Sequence, residues 1–196
     1  MKDTDIAVCR QLAVAARAAG VRYVIASPGT RNAPLTLAFK SCMGLEVLPV
    51  VDERSAAFIA LGIAARSGSP VIIECTSGTA PLNYAPAMAE AYYRHLPLVA
   101  ITADRPADAI NQNVAQTINQ IGIYHNFVCA EYDISSTTDS KTTIKEAFKD
   151  IKGPIHINVH INEPLNGLCE TESENFELEP VAPDTRQDRS SALELK

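Results

Sequence analysis

The sequence predicts an α/β domain, a three-layer, doubly wound and mostly parallel sheet with helices on both faces. Three observations lead there. Short apolar runs alternate with helix-period segments of roughly ten or more residues, the pattern of a parallel sheet covered on both sides. Loops rich in Gly, Ser, Thr and Asn follow those runs, so they gather at the carboxyl ends of the strands, where open α/β sheets bind ligands. Of the 196 residues, 46% are hydrophobic, enough to bury a full core.

Residues 6–19 carry apolar positions at helical spacing and stop at Gly20. Arg10 and Arg17 inside this run make it an amphipathic helix and not a signal peptide. Residues 23–26 read as a short buried strand, followed by the loop Ser27-Pro28-Gly29-Thr30-Arg31-Asn32. Residues 33–40 read as a helix starting near Pro34, since proline suits a first turn. A strand over 46–51 runs into an alanine-rich helix over 53–66, able to pack closely. A strand over 71–75 leads through Thr76-Ser77-Gly78-Thr79 to a helix whose regular part starts at Pro86 and ends near Arg94. A strand over 98–103 is followed by a long polar connection through Gln120. Residues 127–132 are a further strand, 142–150 a helix and 155–159 the last strand. After Pro164 the composition turns acidic and proline-dotted, with Pro180 and Pro183. This divides the chain into a domain of residues 1–165 and an acidic linker, or the start of another domain, over 166–196.

The net charge is −6, and residues 165–196 hold eight acids against three bases, so the body is nearly neutral. No basic stripe is available for nucleic acid. No run of 18 apolar residues exists, so no membrane span is expected. Cys9, Cys42, Cys75, Cys129 and Cys169 are odd in number, widely spaced and without a C-x-x-C pair. They read as buried, reduced thiols of a cytoplasmic protein. His95, His125, His156 and His160 show no metal-ligand spacing, and the last two read as structural. Tyr92 and Tyr93 at a helix end read as packing.

The run Val50-Val51-Asp52-Glu53-Arg54-Ser55-Ala56-Ala57 is where an apolar strand meets a small-residue helix. Chemistry that needs a carboxylic acid in dry surroundings would place Glu53 there; equally, Asp52 and Glu53 suit the cap of the helix. The loop 27–32 can bring N–H groups and a guanidinium to an anion, or use Pro and Gly for turn geometry alone. Thr76-Ser77-Gly78-Thr79 has the look of an anion nest, or of a helix start capped by Ser77 or Thr79. Asp104-Arg105-Pro106 reads as a salt-bridged turn or as an arginine facing the mouth of the sheet. Neither a G-x-G-x-x-G nor a Walker A loop is present, which disfavours the usual dinucleotide and nucleoside triphosphate sites.

Combined, these segments resemble one family. Ser27-Pro28-Gly29-Thr30-Arg31-Asn32-Ala33-Pro34-Leu35 is similar to its SPGSRSAPL signature. Matches continue in order through Asp52-Glu53-Arg54-Ser55-Ala56-Ala57-Phe58, Cys75-Thr76-Ser77-Gly78-Thr79-Ala80, Thr102-Ala103-Asp104-Arg105-Pro106 and Gln116-Thr117-Ile118. They end with Gly153-Pro154-Ile155-His156-Ile157-Asn158-Val159 and Glu163-Pro164-Leu165. The family is that of the thiamine diphosphate-dependent 2-succinyl-5-enolpyruvyl-6-hydroxy-3-cyclohexene-1-carboxylate synthases of menaquinone biosynthesis.

The resemblance implies the thiamine diphosphate-binding fold, as its pyrimidine domain, and a transferase that decarboxylates 2-oxoglutarate and joins the succinyl unit to isochorismate. It makes Glu53 the catalytic acid, hydrogen-bonded to N1′ of the cofactor's aminopyrimidine, with its pKa raised by an apolar surrounding so that it shares a proton. Pro28, Gly29, Ser77, Gly78 and Asn83 fall at cofactor-binding positions; Thr30, Arg31, Arg105 and Gln116 fall at substrate-binding ones. Thr30 keeps the hydroxyl of the family's Ser, whereas Asn32 and Ala115 depart from the family's Ser and Asn. The G-D-G…N motif that holds Mg²⁺ and the diphosphate in a later domain of the family does not occur here. This chain is therefore expected to be a domain-sized piece, inactive alone, of an enzyme that is at least a dimer. Two other readings stay open: another thiamine diphosphate-dependent 2-oxo acid decarboxylase or carboligase, and a non-catalytic α/β interaction module.

Overall fold

The computed structural model describes residues 2–135 and 138–170. Its centre is a six-stranded sheet whose ladders are all parallel. In chain order the elements are β1 (Lys2–Thr4), α1 (Ala7–Ala18), β2 (Tyr23–Ala26), α2 (Ala33–Ser41), β3 (Glu46–Pro49), α3 (Glu53–Ser67) and β4 (Val71–Cys75). There follow α4 (Ala85–Arg94), β5 (Leu98–Asp104), β6 (Ala130–Ile134), α5 (Ser140–Lys149), β7 (Ile155–His160) and β8 (Leu168–Glu170). The sheet runs β3-β2-β4-β5-β7-β6, while β1 and β8 form a separate antiparallel pair.

Alternation along the central strands explains the three layers. In β4, Ile72 packs with α1, α2 and α5, whereas Ile73, its neighbour, packs with α3 and α4. Leu12, Leu35, Phe39, Ile144 and Phe148 fill the first face, and Ala57, Ala60, Leu61, Ala64, Met88 and Ala91 fill the second. Each fully buried Leu, Ile, Phe or Met contributes about 1.5–3 kcal/mol. The small residues of α3 let that helix lie close to the strands.

Strands β2 and β4 occupy the predicted residues, and the helices fall within a few residues of theirs. The edge strand β3 stops at Pro49, although Val50 N–H still donates to the Ala26 carbonyl at 2.9 Å. The predicted strand over 127–132 starts instead at Ala130, because residues 125–127 turn in a 3-10 helix that follows buried Tyr124. A second such turn, Pro81–Tyr84, precedes α4. Past Pro164, β8 pairs Lys2 with Glu170, Asp3 with Cys169 and Thr4 with Leu168, an element the sequence did not reveal. Pro180, Pro183 and most of the acidic stretch lie outside the described residues. Two surface assignments also change. Cys9 and Cys75 are buried, but Cys42 and Cys169 are partly exposed and Cys129 is exposed, all five thiols being free. Tyr93 is exposed, with the ring of Tyr92 edge-on at 5.5 Å.

Candidate functional site

The chain passes from β2 outward to β3 and then returns to β4 on the other side of β2. The carboxyl ends of β2 and β4 therefore form the switch point at which open sheets leave a crevice. Two of the predicted loops meet there. A Cβ on Gly29 would lie 2.4 Å from Thr76 Cβ and 2.8 Å from Asn32 Oδ1, so only glycine lets the loop 27–32 lie against the loop after β4. Pro28 and Thr30 face solvent, while Arg31 and Asn32 are buried.

The loop after β4 is gripped by the long connection that follows β5. Gly78, at φ +87°, donates its N–H to Gln120 Oε1 at 2.9 Å, and a Cβ there would meet Gln116 Cγ at 2.9 Å. Ser77 Oγ donates to the Gln116 carbonyl at 3.0 Å, and Gln116 Nε2 reaches back to the Ser77 carbonyl at 3.1 Å. Neither Ser77 nor Thr79 caps a helix: the turn Pro81–Tyr84 has no side-chain cap. Asn83 is exposed, and its Nδ2 donates to the carbonyls of Thr79 and Ala80. Gln116 itself sits at φ 60°, one of three non-glycine residues of this connection in the left-handed region, with Asn111 and Asn113.

Glu53 is the first residue of α3, beside the end of β3 and next to β2 in the sheet. The capping role falls to Asp52, whose Oδ1 accepts from Ser55 N–H at 2.8 Å. No hydrogen bond or ion pair among the described residues engages the half-buried Glu53 carboxyl. The apolar enclosure expected around it is not closed by this chain. Because α3 turns its alanines to the sheet, Val51, Phe58 and Ile59 remain 80%, 46% and 45% exposed.

The arginines meet on a carboxylate the sequence reading did not select. Arg31, 5% exposed, donates to Glu163 Oε1 at 2.8 Å and to the Ile161 carbonyl at 2.9 Å. Arg105 Nη1 lies 3.7 Å from the same Glu163 oxygen, and its buried Nε has no partner among the described residues. The expected Asp104–Arg105 turn is closed by the backbone N–H of Arg105 on Asp104 Oδ1 at 2.8 Å, and the guanidinium points to Glu163 instead.

Beneath these loops lies a buried polar network centred on Asn158. Its Oδ1 accepts from Thr102 Oγ1 and Gln120 Nε2, both at 2.9 Å, and its Nδ2 donates to Asp104 at 3.0 Å and Asp133 at 2.9 Å. His160 faces the Arg105 carbonyl with Nδ1 at 2.5 Å and Asp133 Oδ1 with Nε2 at 3.1 Å, two acceptors that a doubly protonated ring satisfies. Burial pushes Asp104 up. Burial is the largest single influence on Asp133 and His160 and works against their ionised forms, but their mutual hydrogen bond, those with Asn158 and the Arg105 carbonyl, and the attraction of opposite charges together outweigh it, holding Asp133 below and His160 above their ordinary ranges. Burial lowers His156 to about 4, so it stays neutral and donates Nε2–H to Thr102 Oγ1 at 2.8 Å. Both histidines are structural, as expected.

The sign for His160 follows from linkage. A folded-state pKa above the ordinary 6.5 contributes stability that is complete below pH 6.5 and is lost as pH rises through the folded value. Its imidazole is expected to titrate by NMR with a midpoint above 6.5; a midpoint below that value would contradict the pairing with Asp133.

Thus the structure brings Gly29 to Thr76, Ser77 and Gly78 to Gln116, and Arg31 to Arg105 through Glu163, while no described contact joins Glu53 or Asn83 to these groups. Glu163, Asn158 and Glu74 were not selected as site residues from the sequence, whereas Gln120 belongs to the polar stretch expected either to cover a ligand or to be a surface loop. Glu74 had a signal: it interrupts an otherwise apolar strand.

The family described as thiamine pyrophosphate enzyme, N-terminal TPP binding domain, matches residues 6–123. The chain is 45% identical over 159 residues to a 2-succinyl-5-enolpyruvyl-6-hydroxy-3-cyclohexene-1-carboxylate synthase of Desulfotalea psychrophila, covering 76% of this chain and 30% of that protein. The synthase of the same description from Porphyromonas gingivalis is 48% identical over 159 residues, with 76% and 28% covered. That from Cytophaga hutchinsonii is 43% identical over 157 residues, with 74% and 28% covered. Among solved structures, a Rhodococcus jostii RHA1 thiamine diphosphate-dependent 4-hydroxybenzoylformate decarboxylase superposes with a TM-score of 0.67 at 20% identity, covering 78% of this chain and 30% of that one. This last likeness speaks to the fold. The chain spans less than a third of the length of the relatives it matches.

Proposed function

The chain belongs to the thiamine pyrophosphate enzymes through their N-terminal TPP binding domain, and we propose that residues 1–165 are the pyrimidine-binding part of a 2-succinyl-5-enolpyruvyl-6-hydroxy-3-cyclohexene-1-carboxylate synthase. The observation that carries this reading is the division of labour at the start of α3. Asp52 caps the helix, so the Glu53 carboxyl is left without a partner and is available to a ligand. A nitrogen base placed against that carboxyl takes or returns its proton without any rearrangement of the helix.

Thiamine diphosphate, when bound, supplies the nucleophilic carbon that attacks the 2-oxo acid. This chain's own residues orient and protonate. Glu53 holds a proton at the pyrimidine N1′. Pro28, Gly29, Ser77 and Gly78 would contact the cofactor at the switch point, where the close approach of Gly29 to Thr76 sets the two loops against each other. Asn83, exposed on the turn Pro81–Tyr84, would add a polar contact. Arg31 and Arg105 hold substrate carboxylates, with Thr30 and Gln116 adding hydrogen bonds. That both guanidiniums already share Glu163 supports their use for carboxylates, since a planar fork suits that group.

2-Oxoglutarate and isochorismate are dianions and fit this pair. Mg²⁺ and the diphosphate would be held by a segment outside this chain. The exposed apolar side chains Val51, Phe58 and Ile59 support cover by a second subunit, which would supply the dry surroundings the carboxyl lacks here. Among the described residues no helix is long and apolar enough to cross a membrane, and a cytoplasmic enzyme is the matching proposal.

The test is an assay of the complete polypeptide with 2-oxoglutarate and isochorismate against pyruvate. Carboligation with the first pair is expected; preferential turnover of pyruvate would overturn the reading. Arg105→Ala is expected to raise KM for substrate about 10- to 100-fold, the worth of a charge-assisted hydrogen bond, with a smaller effect on cofactor affinity. A larger loss of cofactor binding than of substrate use would remove Arg105 from its role.

A further inference from the structure

Glu74 lies near the end of β4, fully buried. No basic side chain among the described residues pairs with it. Its carboxyl meets two neutral groups: Asn32 Nδ2 lies 2.6 Å from Oε2, and Thr36 Oγ1 lies 2.5 Å from Oε1. A lone carboxylate in a dry interior is so unfavourable that the group takes up a proton. The hydrogen count agrees. Thr36 has one hydroxyl hydrogen but faces two acceptors, Glu74 Oε1 and, at 3.2 Å, the Asn32 carbonyl. A hydrogen on Glu74 goes to Thr36 Oγ1, and the Thr36 hydrogen is then free for the Asn32 carbonyl. Asn32 Nδ2 donates back to Glu74, closing a ring in which every bond runs the same way and strengthens the next. Asn32 Nδ2 also donates to the Ser27 carbonyl at 2.9 Å, so the ring ties both ends of the loop 27–32 to β4.

We propose that Glu74 is a positioning residue: held as a neutral acid, it closes a hydrogen-bonded ring with Asn32 and Thr36 that fixes the loop carrying Thr30 and Arg31. Its consequence for substrate rests on the reading under Proposed function; the ring itself does not.

Burial raises the Glu74 pKa from 4.5 to about 7, against the lowering effect of its hydrogen bonds with Thr36 and Asn32. The titratable groups that feel its charge are Cys9 from α1, and Cys75 and Tyr84 on the opposite face of the sheet, and burial raises all three, leaving them neutral. Glu74 is therefore the group of this cluster that ionises near neutrality. A raised folded-state pKa gives stability that is complete below pH 4.5 and is lost as pH climbs to about 7. On ionisation the proton goes to solvent, the ring is one hydrogen short, and the loop slackens.

The experiment compares the chain with its Glu74→Gln and Glu74→Leu variants. Glutamine reproduces the neutral acid, since its amide N–H donates to Thr36 while its carbonyl accepts from Asn32, and it does not ionise. The wild type at pH 5.5 is expected to show the infrared carbonyl band of a protonated buried carboxyl, absent from Glu74→Gln. The amides of Ser27 and Ala33, which donate to the Glu74 and Thr30 carbonyls at 2.9 and 3.3 Å, should exchange alike in these two proteins at pH 5.5. At pH 8 they should exchange about tenfold faster or more in the wild type, a factor of ten per pKa unit of lost protection. In Glu74→Leu they should exchange faster at both pH values. A missing band, or a glutamine variant whose loop is already loose at pH 5.5, would overturn the proposal. In the complete polypeptide, Glu74→Leu should raise KM for substrate more than it changes kcat, with glutamine restoring much of the difference; an unchanged KM beside a loosened loop would refute the positioning role. Absence of carboligation in the wild type would refute the synthase reading alone, because band and exchange are measured without substrate.

Discussion

Glu53→Gln in the complete polypeptide is expected to lower carboligation by about 10²- to 10⁴-fold, the range lost when a positioned proton-transfer group is removed. Glutamine keeps the size of the side chain and can still form hydrogen bonds, but its amide hydrogens are not acidic enough to be transferred to a ring nitrogen. Stability should hardly change. Asp52, and not Glu53, accepts the Ser55 N–H, and no described partner of Glu53 is left unsatisfied. Loss of turnover with an unaltered melting temperature is thus the signature. The companion variant Asp52→Ala should do the opposite, lowering the melting temperature through the lost cap while turnover is kept. Near-normal turnover of Glu53→Gln would remove this carboxyl from the chemistry.

The second large effect is on the fold. Asn158→Leu should destabilise the chain by about 3–5 kcal/mol, read as a shift of the denaturant midpoint. Leucine has the branched shape of asparagine but more bulk and none of its hydrogen bonds. Its introduction takes one acceptor from Thr102 Oγ1 and from Gln120 Nε2 and removes a donor from the carboxylates of Asp104 and Asp133. Each buried group so deprived costs about 1–3 kcal/mol, more when charged, and relaxation recovers part of the sum. Gln120 also holds Gly78, so the loop after β4 should loosen in the same variant, visible as faster exchange of the Gly78 amide. A change below about 1 kcal/mol would mean that water replaces the network at little cost.

The contrast between these two sites shows what a sequence discloses. β2 and β4 were legible to the residue because a run of apolar side chains bounded by turn residues has few other solutions. The loops at their ends followed, since parallel strands deliver them to one rim. The partners of Arg31 were not legible. Its guanidinium closes on Glu163, 132 residues away, and nothing local to either residue specifies that meeting. Glu74 could be seen to break an apolar run, but which neighbours would satisfy it, or Asn158, depended on strand order. β1 and β8 were missed for a related reason: three residues each, with little hydrophobic pattern, they exist through pairing with each other. The surroundings of Glu53 depend on more than the local pattern. The alanines of α3 pack on the sheet as their small size suggested, while Val51, Phe58 and Ile59 face outward.

The clasp of β1 on β8 has a mechanical meaning. Residues 2 and 170 are drawn side by side, so the whole fold hangs on the polypeptide as a bight of rope hangs from a knot. Tension applied beyond Glu170 loads three residue pairs across the knot before it reaches the sheet, and the grips inward from there are Asp5 N–H on the Gly167 carbonyl and then Glu163, held by Arg31. Whatever is tethered past that point pulls, through this series of grips, on the buried arginine of the loop after β2.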